Sequence, residues 1–130
     1  MRRVFLTFIL FALCGASAMA DDIFLQSESP VSHRHAVLED DGAIAYLYLT
    51  EPGSIRPVRD AVAYTRLAPA AAEFSFVWAA DGESVALLRN GQPLALSTAR
   101  EKLGYSKAVR APSPLAHPWS EERFRELFGR

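Results

Sequence analysis

Short apolar runs bounded by turn residues recur along this chain, and in the clearest of them aromatic residues return at every second position, which predicts strands rather than helices. The clearest stretch runs from Glu73 to Ser97. Phe74, Phe76 and Trp78 alternate with Ser75, Val77 and Ala79, which predicts a strand with one aromatic face. Asp81-Gly82 is a turn, Ser84 to Arg89 a second strand, Asn90-Gly91 a tight type I′ turn, and Gln92 to Ser97 a third strand. Pro93 stands near the start of that third strand, where a missing N–H is tolerated. Three strands and two short turns make an antiparallel meander.

The same texture occurs earlier. Ala36-Val37-Leu38 and Ala43 to Leu49 flank Asp41-Gly42, a strong hairpin signal. In the second arm Ile44, Tyr46 and Tyr48 share one face and Ala45, Leu47 and Leu49 the other. Both faces are apolar, which predicts a central strand covered on both sides. Val58 to Leu67 carries signals for helix and for strand, with Val62, Tyr64 and Thr65 favouring strand. Before the hairpin, Ile23 to Leu25 reads as a short apolar attachment, and Ser27 to Ser32 as a polar loop. The period changes only near the end. In SEERFRELFGR, Ser120 caps a helix over 120–128, Glu121 and Glu122 suit its first turn, and Phe124, Leu127 and Phe128 form a narrow apolar stripe. A helix this short needs a surface to pack on, so Phe124 and Phe128 are expected to dock on the sheet. Pro112, Pro114 and Pro118 make the preceding segment an extended connection. The pattern as a whole predicts a mainly β domain, bordering on α+β: an antiparallel sheet of about five to seven strands with a C-terminal helix.

The first twenty residues depart from this pattern. Arg2 and Arg3, the apolar run Val4 to Leu13 and Ala18-Met19-Ala20 form the three parts of a cleavable signal peptide over 1–20. Leu13 before Cys14 does not suit a lipoprotein signal. The mature chain is then Asp21 to Arg130, with an extended segment at 21–34 and one domain at 35–130. It is expected in the periplasm or secreted, with no membrane attachment after cleavage. Cys14 is the only cysteine, so a mature chain has no thiol nucleophile, disulfide framework or Cys-ligated zinc. Charge is uneven. From Asp21 to Asp60 there are 3 basic and 8 acidic residues, whereas the remainder is mildly basic. No dense basic patch points to nucleic acid.

The order of motifs resembles a bacterial family known as domain of unknown function 2251. The resemblance rests on Val37-Leu38-Glu39-Asp40-Asp41-Gly42, Tyr46-Leu47-Tyr48, Tyr64, Trp78 before Asp81-Gly82, and Val85 to Leu88 leading into Asn90-Gly91-Gln92-Pro93. It covers roughly Ala36 to Tyr105. Ala45, the extra alanine before Asp81, and Leu94 depart from the family pattern. The resemblance implies a single compact domain in which Val58 to Leu67 is a strand. It implies no activity.

Candidate chemistry is sparse. His33 and His35, two apart, could share a strand face and ligate a metal, with an acidic residue or His117 completing the set. Glu39 lies about 13 Å from His35 along an extended strand. Glu39, Asp40 and Asp41 could supply an acid–base pair, with Asp60 or Asp81 as a partner, but a tight hairpin would turn them to solvent. No G-x-S-x-G, G-x-G-x-x-G, P-loop or C-x-x-C occurs, and no cofactor is expected. Two readings follow. The first is a non-enzymatic exported binding module, of inhibitor or immunity type, for another exported or cell-envelope protein. Its hairpin tip, Glu39, Asp40 and Asp41, would meet a basic cleft, with Trp119 as a further anchor. The second is a metal-binding protein or metal-assisted hydrolase built on His33, His35 and a carboxylate.

Overall fold

The computed structural model describes residues 22–54, 56–65, 73–101 and 103–129. The signal peptide predicted for 1–20 lies outside them. Four strands form a first sheet in sequence order: β1 (Ile23–Glu28), β2 (His35–Asp40), β3 (Ile44–Thr50) and β4 (Pro57–Thr65). Five more form a second sheet, again in sequence order: β5 (Phe74–Trp78), β6 (Ser84–Arg89), β7 (Gln92–Thr98), β8 (Tyr105–Ser106) and β9 (His117–Pro118). All pairings are antiparallel except β8 with β9. The helix α1 spans Glu121–Phe128.

Local chemistry sets the turns. Asn90 and Gly91 both have positive φ, 51° and 84°, the conformation that a two-residue I′ turn requires between β6 and β7. At the β5–β6 turn a side chain is excluded as well as disfavoured. Gly82 has φ 72°, and a Cβ there would stand 2.6 Å from Ser29 Oγ. At the helix, the Ser120 hydroxyl accepts a bond from Arg123 N at 3.0 Å, as a cap should.

The two sheets stack through a core of Ala36, Leu38, Leu47, Leu49, Val85 and Leu87, all fully buried. Polar ties cross the same interface. Ser97 Oγ donates to Leu47 O, Ser106 Oγ to Ala63 O, and Trp78 Nε1 to Ser27 Oγ at 3.0 Å. At one end the half-buried Arg34 donates twice to Glu83 Oε1 and once to Thr50 O. A second core lies on the far side of the second sheet, where Phe124 packs with Ala86, Leu88 and Leu96, flanked by Trp119, Leu127 and Phe128. Burying one phenylalanine there contributes roughly 2–3 kcal/mol, which offsets the marginal stability of an eight-residue helix. The order of layers is first sheet, second sheet, helix.

The mainly β fold, the meander, the β4 strand and the docked helix all follow the sequence reading. Two features differ from it. Among the described residues the strands number nine in two sheets rather than about five to seven in one, because β8 and β9 are two residues long and the period of two cannot show that the chain changes sheets after β4. Ile23 to Glu28, read as an attachment and part of a loop, is a full strand paired residue for residue with β2. The β3 strand is central, as expected, but its outer residues Ile44, Tyr46 and Tyr48 are only half-buried, whereas Ala45, Leu47, Leu49 and the terminal Thr50 are fully buried.

Candidate functional site

The hairpin tip is a turn that consumes its own carboxylates. In β2, Ala36, Leu38 and Asp40 alternate inward, so Asp40 is buried at 5 % exposure. Its Oδ2 accepts from the Tyr64 hydroxyl at 2.6 Å and its Oδ1 from Gly42 N at 2.7 Å. Burial, and then the bond to Asp40, push the Tyr64 hydroxyl far above the usual tyrosine range. Asp41 is exposed, but its Oδ1 accepts from Ala43 N and Ile44 N at 2.9 and 3.0 Å. Those backbone donors, Ile44 first, hold its carboxyl below the usual range. Glu39, the third acidic residue, lies on the opposite face of β2 and is exposed. The three acidic residues therefore have three different environments, and only Glu39 projects from the sheet without a turn bond.

His33 and His35 come together on a residue that sequence reasoning missed. Glu28, at the end of β1, receives His33 Nδ1 on Oε2 at 3.0 Å and His35 Nε2 on Oε1 at 3.4 Å. The hydrogen bond with His33 leads the causes that lower the Glu28 carboxyl. His33 reaches this position with φ 63°, a left-handed conformation held by the bond from Gly53 N to its carbonyl at 2.9 Å. Each imidazole addresses a separate oxygen of one carboxylate. Among the described residues, no group of three or more His, Cys, Asp or Glu side chains is placed to hold a metal ion. The metal set expected on His33 and His35 is therefore not assembled. His117, the other candidate ligand, lies on the second sheet with its ring 5.2 Å from that of Tyr105. What folding builds around His33 and His35 is a pair of imidazoles sharing one carboxylate at the β1–β2 loop.

The outer face of the first sheet gathers the remaining candidates. Register places Phe24 beside Glu39 and Glu39 beside Tyr46, with Gln26, Val37 and Tyr48 in the next row. The rings of Tyr46 and Tyr48 stack with centroids 6.1 Å apart. Exposure rises across the sheet, from 3 % at Val62 on β4 to 62 % at Phe24 on β1. Trp119 lies elsewhere. It is half-buried against Phe124 in the second core, donates to Glu121 Oε2 at 2.7 Å and has Lys107 Nζ 5.4 Å above its ring. Phe24 and Glu28 had no periodic signal, since Ile23 to Glu28 is three apolar residues followed by three polar ones and shows no alternation.

The comparisons agree with the motif order. No curated protein and no solved structure matches the chain. A bacterial family model matches residues 17–127, taking in β1 and almost all of α1 as well as the motifs between them. With most of its length so matched, the chain belongs to the family described as uncharacterized protein conserved in bacteria (DUF2251).

Proposed function

We propose that the mature chain is an exported binding domain, without an active site of its own, that docks a basic partner protein on the outer face of its first sheet. The observation that carries this reading is the surface formed by Phe24, Glu39, Tyr46 and Tyr48, where aromatic rings stand beside a carboxylate that no turn consumes. Such a surface suits lysine and arginine side chains. Aromatic faces attract cations by about 0.5–2 kcal/mol each, and aromatic residues serve as interface anchors. The acidic balance of Asp21 to Asp60, 3 basic against 8 acidic residues, would steer a basic partner toward this side. An inhibitor or immunity-type role, with the face closing the basic cleft of an envelope enzyme, is the specific form of this reading. It moves the contact from the hairpin tip to the sheet face, because Asp40 is buried and Asp41 is bonded into the turn.

The test is capture from an envelope extract of the native host, with the mature chain as bait at low and high salt. The wild type and the helix-surface control Glu122→Lys are expected to hold one salt-sensitive protein. The double variant Glu39→Lys/Tyr46→Ala, folded by circular dichroism, is expected to lose it. Equal capture by all three baits sinks the reading.

A further inference from the structure

We propose that the edge of β1, unpaired among the described residues, is a docking rail on which an extended, basic segment of the partner adds as a further strand. The inference deepens the reading above and rests on it.

The hydrogen-bond phase of the ladder carries the argument. In an antiparallel pair, residues that exchange backbone bonds alternate with residues that do not, and the second kind point their N–H and C=O away from the neighbour. Ser29 N donates to Arg34 O at 2.9 Å, immediately beyond the last β1–β2 partners, Glu28 and His35. Counting back in steps of two, Ser27, Leu25 and Ile23 bond to β2. Phe24, Gln26 and Glu28 therefore direct their backbone groups to the open side. The other hairpin has a matching phase. Asp41 N donates to Ile44 O, so Glu39, Val37 and His35 bond to β3 and leave Asp40, Leu38 and Ala36 for β1. β1 is the terminal strand of its sheet.

The edges of the molecule are not equally guarded. β4 has two register shifts and begins at Pro57. β9 is two residues long and ends in Pro118. Bulges, prolines and short length are the usual guards against edge pairing. β1 has six residues with no proline, no lysine and no register shift. β5 is also terminal, but its sheet has its outer face occupied by α1. Only the β1 edge continues into the acidic, aromatic surface.

Charge selects the occupant. Asp22 and Glu28 are exposed at the two ends of β1, and Glu39 stands across from Phe24. A second copy paired antiparallel about Leu25 would set Asp22 against Glu28, like charge against like. A partner strand would place alternate side chains beside Phe24, Gln26 and Glu28, where basic residues fit. The intervening ones would lie beside Leu25 and Ser27, where apolar residues fit. The ligand is thus a strand alternating basic and apolar residues, held by main-chain bonds with side chains giving selectivity.

Titration calorimetry on the mature chain tests this with an eight-residue peptide alternating lysine and valine. Saturable binding is expected at low salt. Two N-methylated versions, one on the lysine amides and one on the valine amides, should differ at least tenfold, because only one set can face β1. Gln26→Pro removes an outward N–H while sparing the β1–β2 ladder, and should weaken binding at least tenfold. The methylated peptides need no variant, so they keep the test valid should Gln26→Pro misfold. Absent binding, or equal affinity for both methylated peptides, overturns the proposal. Binding lost in Tyr46→Ala yet unmoved by Gln26→Pro and by methylation leaves the sheet face standing and removes the edge. A dimeric wild type that Gln26→Pro renders monomeric also overturns it, by assigning the edge to a second copy.

Discussion

Both sheets carry aromatic residues on their outer faces, and they use them differently. On the second sheet, Tyr105 and the apolar residues of β6 and β7 lie under α1, whose Phe124 is only 8 % exposed. On the first sheet, Tyr46, Tyr48 and Phe24 flank Glu39, and Phe24 is 62 % exposed. The covered face has its own ion pairs around it, with Arg123 bonded to both Glu101 and Glu126. The open face keeps a carboxylate that no turn consumes. Aromatic content therefore says little about role, and what lies over the rings decides it. One face stabilises the fold; the other is the face on which the proposed partner docks.

Truncating the covered face should have the largest effect. Phe124→Ala removes the centre of the second core and should cost about 3 kcal/mol in urea unfolding. A loss below about 1 kcal/mol would show that the helix contributes little cover. Next comes the pair buried at the edge of the main core. Tyr64→Phe leaves the Asp40 carboxylate without its hydroxyl donor and should cost about 1–3 kcal/mol at neutral pH. The same residue gives a pH signature. Its folded value lies above the ordinary 10.0, so its contribution is intact below pH 10.0 and falls as the pH rises beyond it. The wild type should lose stability above that pH more steeply than Tyr64→Phe, measured by denaturation at a series of alkaline pH values. Ser120→Ala removes the helix cap and should cost about 1 kcal/mol, loosening the cover without opening the main core. Tyr46→Ala should be the mildest, at or below about 1 kcal/mol, because its ring is half-exposed. A cost for Tyr46→Ala equal to that for Phe124→Ala would erase the distinction between the faces.

What was legible in the sequence was local. Asn90-Gly91, Asp41-Gly42, the Ser120 cap and the alternation of Phe74, Phe76 and Trp78 each follow from interactions within a few residues, and the structure has them where expected. Asp40 was half legible. Its parity with Leu38 assigns it to the inner face, but the acidic run around it suggests a solvated tip, and only Tyr64, 24 residues away, shows what satisfies it. Glu28 was not legible as the partner of His33 and His35, since their meeting depends on a loop whose turn uses a left-handed histidine. The serine-rich segment is a loop beyond Glu28, as read, but its burial was not legible: Ser29 is fully buried, and Ser32 donates to Gly82 O at 2.6 Å, tying the loop to the β5–β6 turn. Long-range contacts of this kind leave no periodic trace.

The most direct test of an open working face against a covered structural one is tyrosine footprinting of the wild-type mature chain, in buffer and in a concentrated envelope extract of its host. Tyr46 and Tyr48 should label less in the extract than in buffer, while Tyr105 on the helix-covered sheet labels the same in both. Unchanged labelling of Tyr46, or protection confined to Tyr105, would contradict the assignment of the first sheet as the binding surface.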